Sequence, residues 1–479
     1  MRRRVLLAGL AFSLSCGART ALLPGGPGGE GSGGSSGGGA TPLAVKCTAA
    51  LLDGAPTPMQ GYCPTRANQA PLNGPRVGPQ IVWSVTPFPI TTPEDFLPAE
   101  IVVDPSGRAY VAIEASPMNL DGSGMLFAVD PDGTVGWSAP ANAASLVLAS
   151  DGNLWLMGDL PDAPTMPTNP VCLSDAGFDG PTCLAGLTAL SSAGAVVEHL
   201  VLVIPAMSPS VNSVVSYNSF APASDGSIFL EGVSPIGSEG GVGHASRDGT
   251  MLWQWPPPSQ NEGFLLVAPL VVGPDDDAVV SGSGELFHLD AAGNQIWQDG
   301  VGVQTAAVDA RGETVALTTS GGPTGDGLAL VTIDPVGDVT QRPVSFGATA
   351  NVFQLALAGD GTNVMLLANE ATAPGLTKSH VEITAVDGSG TTRWTTPLDV
   401  DLDYDPATLT THYGLFVDAA GTVVVTAGAI TGIDLSTGAI LWTVQAPNAH
   451  SCLRPAALGA GGAILASQCD GTVFLARDP

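Results

Sequence analysis

Basic residues are scarce in this chain, with 15 Lys and Arg against 44 Asp and Glu and a formal charge of −29. A surface this acidic repels nucleic acid and anionic lipid, and it leaves cations, cationic polymers and basic proteins as the electrostatically allowed partners. Solubility alone would account for the charge equally well. Charged residues of either sign make up only 12% of the sequence while apolar ones make up 44%, so there is ample material for a core. Past the first residues, no stretch approaches the ~20 apolar residues that a membrane-crossing helix needs. Amphipathic helical periodicity is nearly missing, which disfavours helical and α/β folds. No Cys-x-x-Cys spacing and no adjacent cysteine pair occurs, so dithiol redox catalysis and cysteine zinc sites find no support. The six histidines, His199, His244, His288, His380, His412 and His450, stand in separate stretches without an H-E-x-x-H pair and read as packed or surface side chains.

The N-terminus carries an address. Arg2, Arg3 and Arg4 precede an apolar run from Val5 to Leu14 and the small residues Ser15, Cys16 and Gly17, the order of an export signal. Ser13-Leu14-Ser15-Cys16 resembles a bacterial lipobox, with the usual leucine displaced by one position. That resemblance implies acylation of Cys16, while ordinary signal cleavage is the alternative, and Gly17 fits sorting to the outer membrane. Losing the three arginines with residues 1–15 would take the formal charge from −29 to −32. Residues 16–42 form the anchor cysteine and a linker that is almost wholly Gly, Ser and Pro from Pro24 to Pro42, a flexible tether by composition. Within it, Gly33-Gly34-Ser35-Ser36-Gly37 matches a serine-hydrolase pattern by chance, because that motif needs a strand before it and a helix after it.

Setting Cys16 aside leaves six cysteines in three sequence-local pairs: Cys47 with Cys63, Cys172 with Cys183, and Cys452 with Cys469. In an exported chain such parity predicts disulfides, each worth ~3 kcal/mol in the chain-entropy model. Residues 43–78 are therefore expected to form a disulfide-stapled N-terminal segment.

A repeat fills residues 79–479. Leu126 to Trp137 reads LFAVDPDGTVGW, Leu286 to Trp297 reads LFHLDAAGNQIW, Ile383 to Trp394 reads ITAVDGSGTTRW and Ile430 to Trp442 reads ITGIDLSTGAILW, each with a glycine four residues before the tryptophan. The same offset joins Gly249 to Trp253, and degenerate copies run from Ala189 to Val197 and from Val331 to Val339. Each phrase is an apolar strand, a turn that needs positive φ, and a second strand. A second phrase, a turn followed by a short strand, recurs eight times, from Asp104 to Val111 through to Gly459 to Leu465. The eighth unit is split between Thr472 to Asp478 at the end and Gln80 to Trp83 near the start. Pairing the two termini would close a ring and remove its exposed edges. The expected fold is all-β, a single β-propeller of eight four-stranded blades, with seven as the alternative count.

Gly432 to Trp442, GIDLSTGAILW, resembles the A-x-D-x-x-T-G-x-x-x-W repeat of PQQ-like propellers; the other copies keep Asp or Gly and Trp and lose Thr. The resemblance implies a superfamily that includes quinone-cofactor dehydrogenases and a propeller lipoprotein of outer-membrane assembly. It places Trp83, Trp137, Trp253, Trp297, Trp394 and Trp442 in the blade-docking register rather than against a quinone. The dehydrogenases need a quinone, a calcium ion, a catalytic Asp and, in several classes, adjacent cysteines; that pair is missing here, so PQQ is not expected as a cofactor.

The best local metal candidate is the alternating set Asp399, Asp401, Asp403 and Asp405, which could converge on Ca²⁺ from a loop. Tyr404 and Thr410 stand where a helical calcium loop needs Gly and Glu, and a solvated acidic strand is the simpler reading. Asp275-Asp276-Asp277 reads as a turn beside a strand. A Pro-rich insertion, Asp159 to Gly186, interrupts the second blade and is the first choice for a recognition surface. Together these readings predict a non-catalytic, outer-membrane-anchored module that binds an envelope protein or polysaccharide through loops on one propeller face. The alternative is a quinoprotein-type oxidoreductase, or another enzyme with a composite site in the central channel.

Overall fold

The computed structural model describes residues 50–88, 100–113, 124–159, 182–205, 216–233, 240–255, 270–282, 285–300, 302–318, 328–344, 352–369, 378–401, 413–448 and 451–479. They belong to one compact unit, Pro42–Pro479. Cys16, Cys47, Cys172, Asp403, Asp405, His412, His450 and most of the Asp159 to Gly186 insertion lie outside the described residues.

The strands form eight antiparallel sheets of four, and in seven of them spatial order follows chain order. Blade one spans residues 100–140, blade two 142–205, blade three 216–255, blade four 271–299, blade five 303–343, blade six 352–401 and blade seven 414–444. Blade eight takes Ala457–Leu458, Ile464–Ser467 and Val473–Arg477 from the C-terminus and its outer strand, Gln80–Val85, from the start of the ring. Gln80 faces Arg477 and Trp83 faces Leu475 across that seam, with a bulge between Ile81 and Trp83. The molecule is a β-propeller with eight blades. The split unit closes it as the sequence predicts, and the pairing leaves no open edge at the seam.

Asp and Gly do distinct work in the repeated turns. Gly133, Gly194, Gly249, Gly293, Gly337, Gly390 and Gly438 all have positive φ, where a Cβ is strained. In four of these turns the opening residue is an aspartate, Asp290, Asp334, Asp387 or Asp434, whose carboxylate accepts from the chain ahead of it. Asp290 takes the N–H groups of Ala292 and Asn294 at 2.9 and 2.8 Å, and Asp387 takes those of Ser389 and Thr391 at 2.9 and 3.0 Å. Such bonds to the ionised form hold carboxyls below their ordinary range: the Ser389 hydroxyl and Thr391 amide act on Asp387, and the Ser436 and Thr437 hydroxyls on Asp434.

Five of the six tryptophans of the repeat connect neighbouring blades. Trp83 lies against Gly133 of blade one, Trp137 against Gly194 of blade two, Trp253 against Gly293 of blade four, Trp297 against Gly337 of blade five and Trp394 against Gly438 of blade seven. A Cβ on Gly194, Gly293 or Gly438 would meet the indole at 2.6 or 2.7 Å. Indole N–H groups add bonds to the next blade's turn: Trp83 to the Pro131 carbonyl at 2.9 Å, Trp137 to Ser192 at 3.0 Å, Trp253 to Ala291 at 2.9 Å and Trp394 to Leu435 at 2.7 Å. Gly194 and Gly337 thus stand in the two units that lack a tryptophan at the docking position, because each receives the indole of the preceding blade. Blade five has Gln341 at the tryptophan position, and there the Arg342 side chain lies against Gly390 instead.

Candidate functional site

The feature with most bearing on function is one that sequence reading missed. Residues 50–78 run round the ends of the inner strands, and the last residue of one inner strand after another donates its N–H to them. Val103 of blade one donates to Thr57 at 2.8 Å, Leu148 of blade two to Pro58 at 2.8 Å, Val272 of blade four to Pro64 at 2.9 Å and Val308 of blade five to Thr65 at 3.0 Å. Leu357 of blade six donates to Ala67 at 2.8 Å and Val417 of blade seven to Asn68 at 2.9 Å. Leu458 of blade eight donates to the Tyr62 hydroxyl at 3.0 Å, and its carbonyl accepts from Thr57 Oγ1 at 2.7 Å. Blade three alone is skipped, because its inner strand ends in Pro222, which has no N–H to give.

The segment curls tightly enough to do this by adopting positive φ at Tyr62, Arg66 and Asn68 (67°, 51° and 50°). Met59, Tyr62, Ala67 and Ala70 are buried beneath it, and Cys63 is disulfide-bonded. Arg66 is drawn toward Glu100 and Glu231, although burial lowers its pKa. These two glutamates also tie blades together, Glu100 accepting from the Leu146 N–H at 2.8 Å and Glu231 from the Leu270 N–H at 3.1 Å. One end of the ring's centre is therefore closed by the chain itself. The only local sign in the sequence is a run of prolines among irregularly spaced apolar residues, which has neither helical nor strand periodicity.

Where the segment skips blade three, a small pocket of about 60 Å³ lies between blades two and three. Val147, Trp155, Phe220, Pro222 and Ile228 give it apolar walls, and Asp151 and Arg247 stand at its rim 3.9 Å apart.

Blade three also brings together the three residue types of a hydrolase triad. Ser227 Oγ donates to Asp225 at 2.5 Å and meets His244 Nε2 at 2.6 Å. The order is wrong for catalysis: a triad places the histidine between carboxylate and hydroxyl, whereas here the serine sits in the middle and donates its hydroxyl to the carboxylate. His244 is 4% exposed, stacked on Phe229 at 4.1 Å and edge-on to Trp253 at 5.3 Å. It is a packing residue. His288 is equally buried, hydrogen-bonded with Asp277 and tilted against Trp297. His199 Nδ1 meets the Thr188 hydroxyl at 3.0 Å and His380 Nε2 meets Glu382 at 2.9 Å.

Burial pushes the His244 pKa down, so the folded state holds the ring neutral while the unfolded chain protonates it near pH 6.5. Stability should accordingly fall as pH drops below about 6.5, and fall again below about 4 as the turn aspartates, depressed in the fold, are protonated. Denaturant midpoints measured from pH 8 to pH 3 check this, and His244→Asn should flatten the first decline.

Asp399 and Asp401 lie on the outer strand of blade six, Thr392–Asp401, in register with His380 and Lys378. Asp275 to Asp277 form the turn before Ala278–Gly282. Among the described residues no group of three or more His, Cys, Asp or Glu is placed to hold a metal, and no helix is long and apolar enough to cross a membrane. Cys452 and Cys469 are joined in a disulfide, with Cα atoms 5.3 Å apart.

No family model matches the sequence, and no curated protein matches it. Solved structures of similar shape include the WD40 β-propeller domain of Doa1, at 11% identity over 84% of this chain and 98% of that one, with a TM-score of 0.40. A streptogramin B lyase is 12% identical over 67% of this chain and 97% of that one, with a TM-score of 0.36. The Neurospora crassa Pan2 WD40 domain is 12% identical over 62% and 86%, with a TM-score of 0.38. None of the three lends this chain an activity.

Proposed function

We propose that this protein is a non-catalytic, lipid-anchored binding module of the bacterial envelope, held at the outer membrane through Cys16 and presenting one face of its ring to an envelope protein or polysaccharide. The closure of the ring's centre by residues 50–78 carries this reading. The described chain starts at that closed end, where the Ala50 carbonyl accepts from the Ser150 N–H at 2.7 Å. With that face covered by the chain itself, the other face is left for recognition. The strand ends flanking residues 114–123, 160–181, 256–269 and 402–412 all lie at that other face. Long connections carried on a rigid ring are where recognition usually resides.

The test uses the full chain in cells. A photocrosslinking residue at Glu285, on the open face, should give a discrete adduct in envelope fractions, and the same residue at Asp132, on the closed face, should not. A chain carrying Cys16→Ser should leave the membrane fraction and lose the adduct. Adducts of equal yield from both faces, or none from Glu285, would overturn the proposal.

A further inference from the structure

Arg454 stands just ahead of the inner strand of blade eight, on the side of the ring opposite residues 50–78. Its side chain is among the largest in the molecule to be fully enclosed, at 0% exposure. Its backbone N–H donates to the Ser467 carbonyl at 2.9 Å. Its guanidinium has no such partner: Nε, Nη1 and Nη2 are all buried with no hydrogen-bond acceptor among the described residues. Beside it in the adjacent strand, the Ser467 hydroxyl is also buried and also without a partner. The nearest counter-charge is Asp470, whose carboxylate is already engaged by the Thr472 N–H at 3.0 Å and the Asn448 amide at 2.8 Å.

Burial pushes the Arg454 pKa down to about 10, far enough above neutral that the group stays a cation in the fold. A buried cation with no counter-ion and no acceptor is among the most unfavourable arrangements a protein can hold. Arg454 and Ser467 are neighbours on paired strands, and their buried donors, all without an acceptor, define the chemistry of what is missing. It is an anion, small because the site is enclosed. It is singly charged because a second charge would add desolvation cost, and planar because the guanidinium fork matches a carboxylate through two parallel bonds.

From this geometry we infer that Arg454 and Ser467 form a site for a small carboxylate, entered from the open face and seated against the inner strand of blade eight. The bound anion takes two guanidinium N–H bonds and the serine hydroxyl. It neutralises the buried charge next to the Cys452–Cys469 disulfide and the seam that closes the ring.

Thermal melting of the full chain, with formate as the probe and ionic strength held by a bulky sulfonate, tests the assignment. The wild-type midpoint should rise with formate and saturate, by about 2–5 °C. Arg454→Met should fold in formate-free buffer and show no dependence on formate. Arg454→Lys, which keeps charge and loses the fork, should need at least about tenfold more formate for half the rise. A wild-type midpoint that does not move, or an equal rise in Arg454→Met, overturns the site. Should Arg454→Met fail to fold, bromide-soaked crystals of the wild-type chain decide instead. An anomalous peak within hydrogen-bonding reach of the guanidinium supports the site, and none there rejects it.

Discussion

Replacing Trp442 by alanine should lower stability by about 3–5 kcal/mol, the range for removing a large buried aromatic, and more than the same change at any other docking tryptophan that donates to a neighbour. Trp442 lies on the outer strand of blade seven, where a regular ring would offer it the next blade's hairpin turn. Blade eight has no such turn, because its outer strand comes from the other end of the chain. The N-terminal segment takes the turn's place: the Trp442 indole donates to the Pro75 carbonyl at 3.0 Å and is only 5% exposed. One side chain thus joins blade seven, the closing seam and the segment that covers the ring's centre. Trp442→Phe should cost less, about 1–2 kcal/mol, since it keeps most of the packing and strands one carbonyl. Trp83→Ala should also cost less, because Trp83 is only partly buried. Denaturant midpoints rank the three variants, and limited proteolysis should show residues 71–78 of Trp442→Ala cut faster than wild type. Equal midpoints for Trp442→Ala and Trp83→Ala would show that the segment adds nothing to the seam.

The paired change Cys452→Ser with Cys469→Ser should cost about 3 kcal/mol on the chain-entropy model for a loop of 17 residues. The loop so closed contains Ala457–Leu458 and Ile464–Ser467, the inner hairpin of the blade whose outer strand must come from far away in sequence. Both cysteines are buried, at 1% and 2% exposure, and the Cys469 N–H donates to the Cys452 carbonyl at 2.9 Å. In the unfolded chain the bridge keeps this hairpin compact, so the long-range pairing of Gln80–Val85 with Val473–Arg477 meets a partner already shaped. Reductant should lower the wild-type midpoint by more than that of the double variant, which keeps the Cys63 bridge, and the difference should equal the cost of the double change. Equal reductant effects on the two chains would assign the stabilisation to the bridge of Cys63 instead.

The hairpins were legible in the sequence because their chemistry is local. An Asp whose carboxylate binds the next turn, a Gly at positive φ and an alternating apolar strand are specified within a dozen residues, and they repeat. The split eighth unit was legible for the same reason, since half a phrase at each end has no other way to pair. Even the units without tryptophan could be found, as Gly194 and Gly337 answer to the blade before them.

The closed end of the ring was not legible. Residues 50–78 are held by carbonyls and by curvature at Tyr62, Arg66 and Asn68, and a carbonyl is the same at every residue, so no pattern of side chains announces it. The exception at blade three depends on one proline whose meaning appears only once seven other inner strands are seen to end in donors. The unsatisfied Arg454 was likewise invisible, because an arginine in a sequence carries no mark of its burial. What the sequence by itself determined is whatever the chain does to its near neighbours: turn, strand, blade and the number of blades. Only the tertiary structure decided which end of the ring is closed, where a pocket opens and which charge is left without a partner. Those depend on groups hundreds of residues apart that meet through backbone atoms and burial.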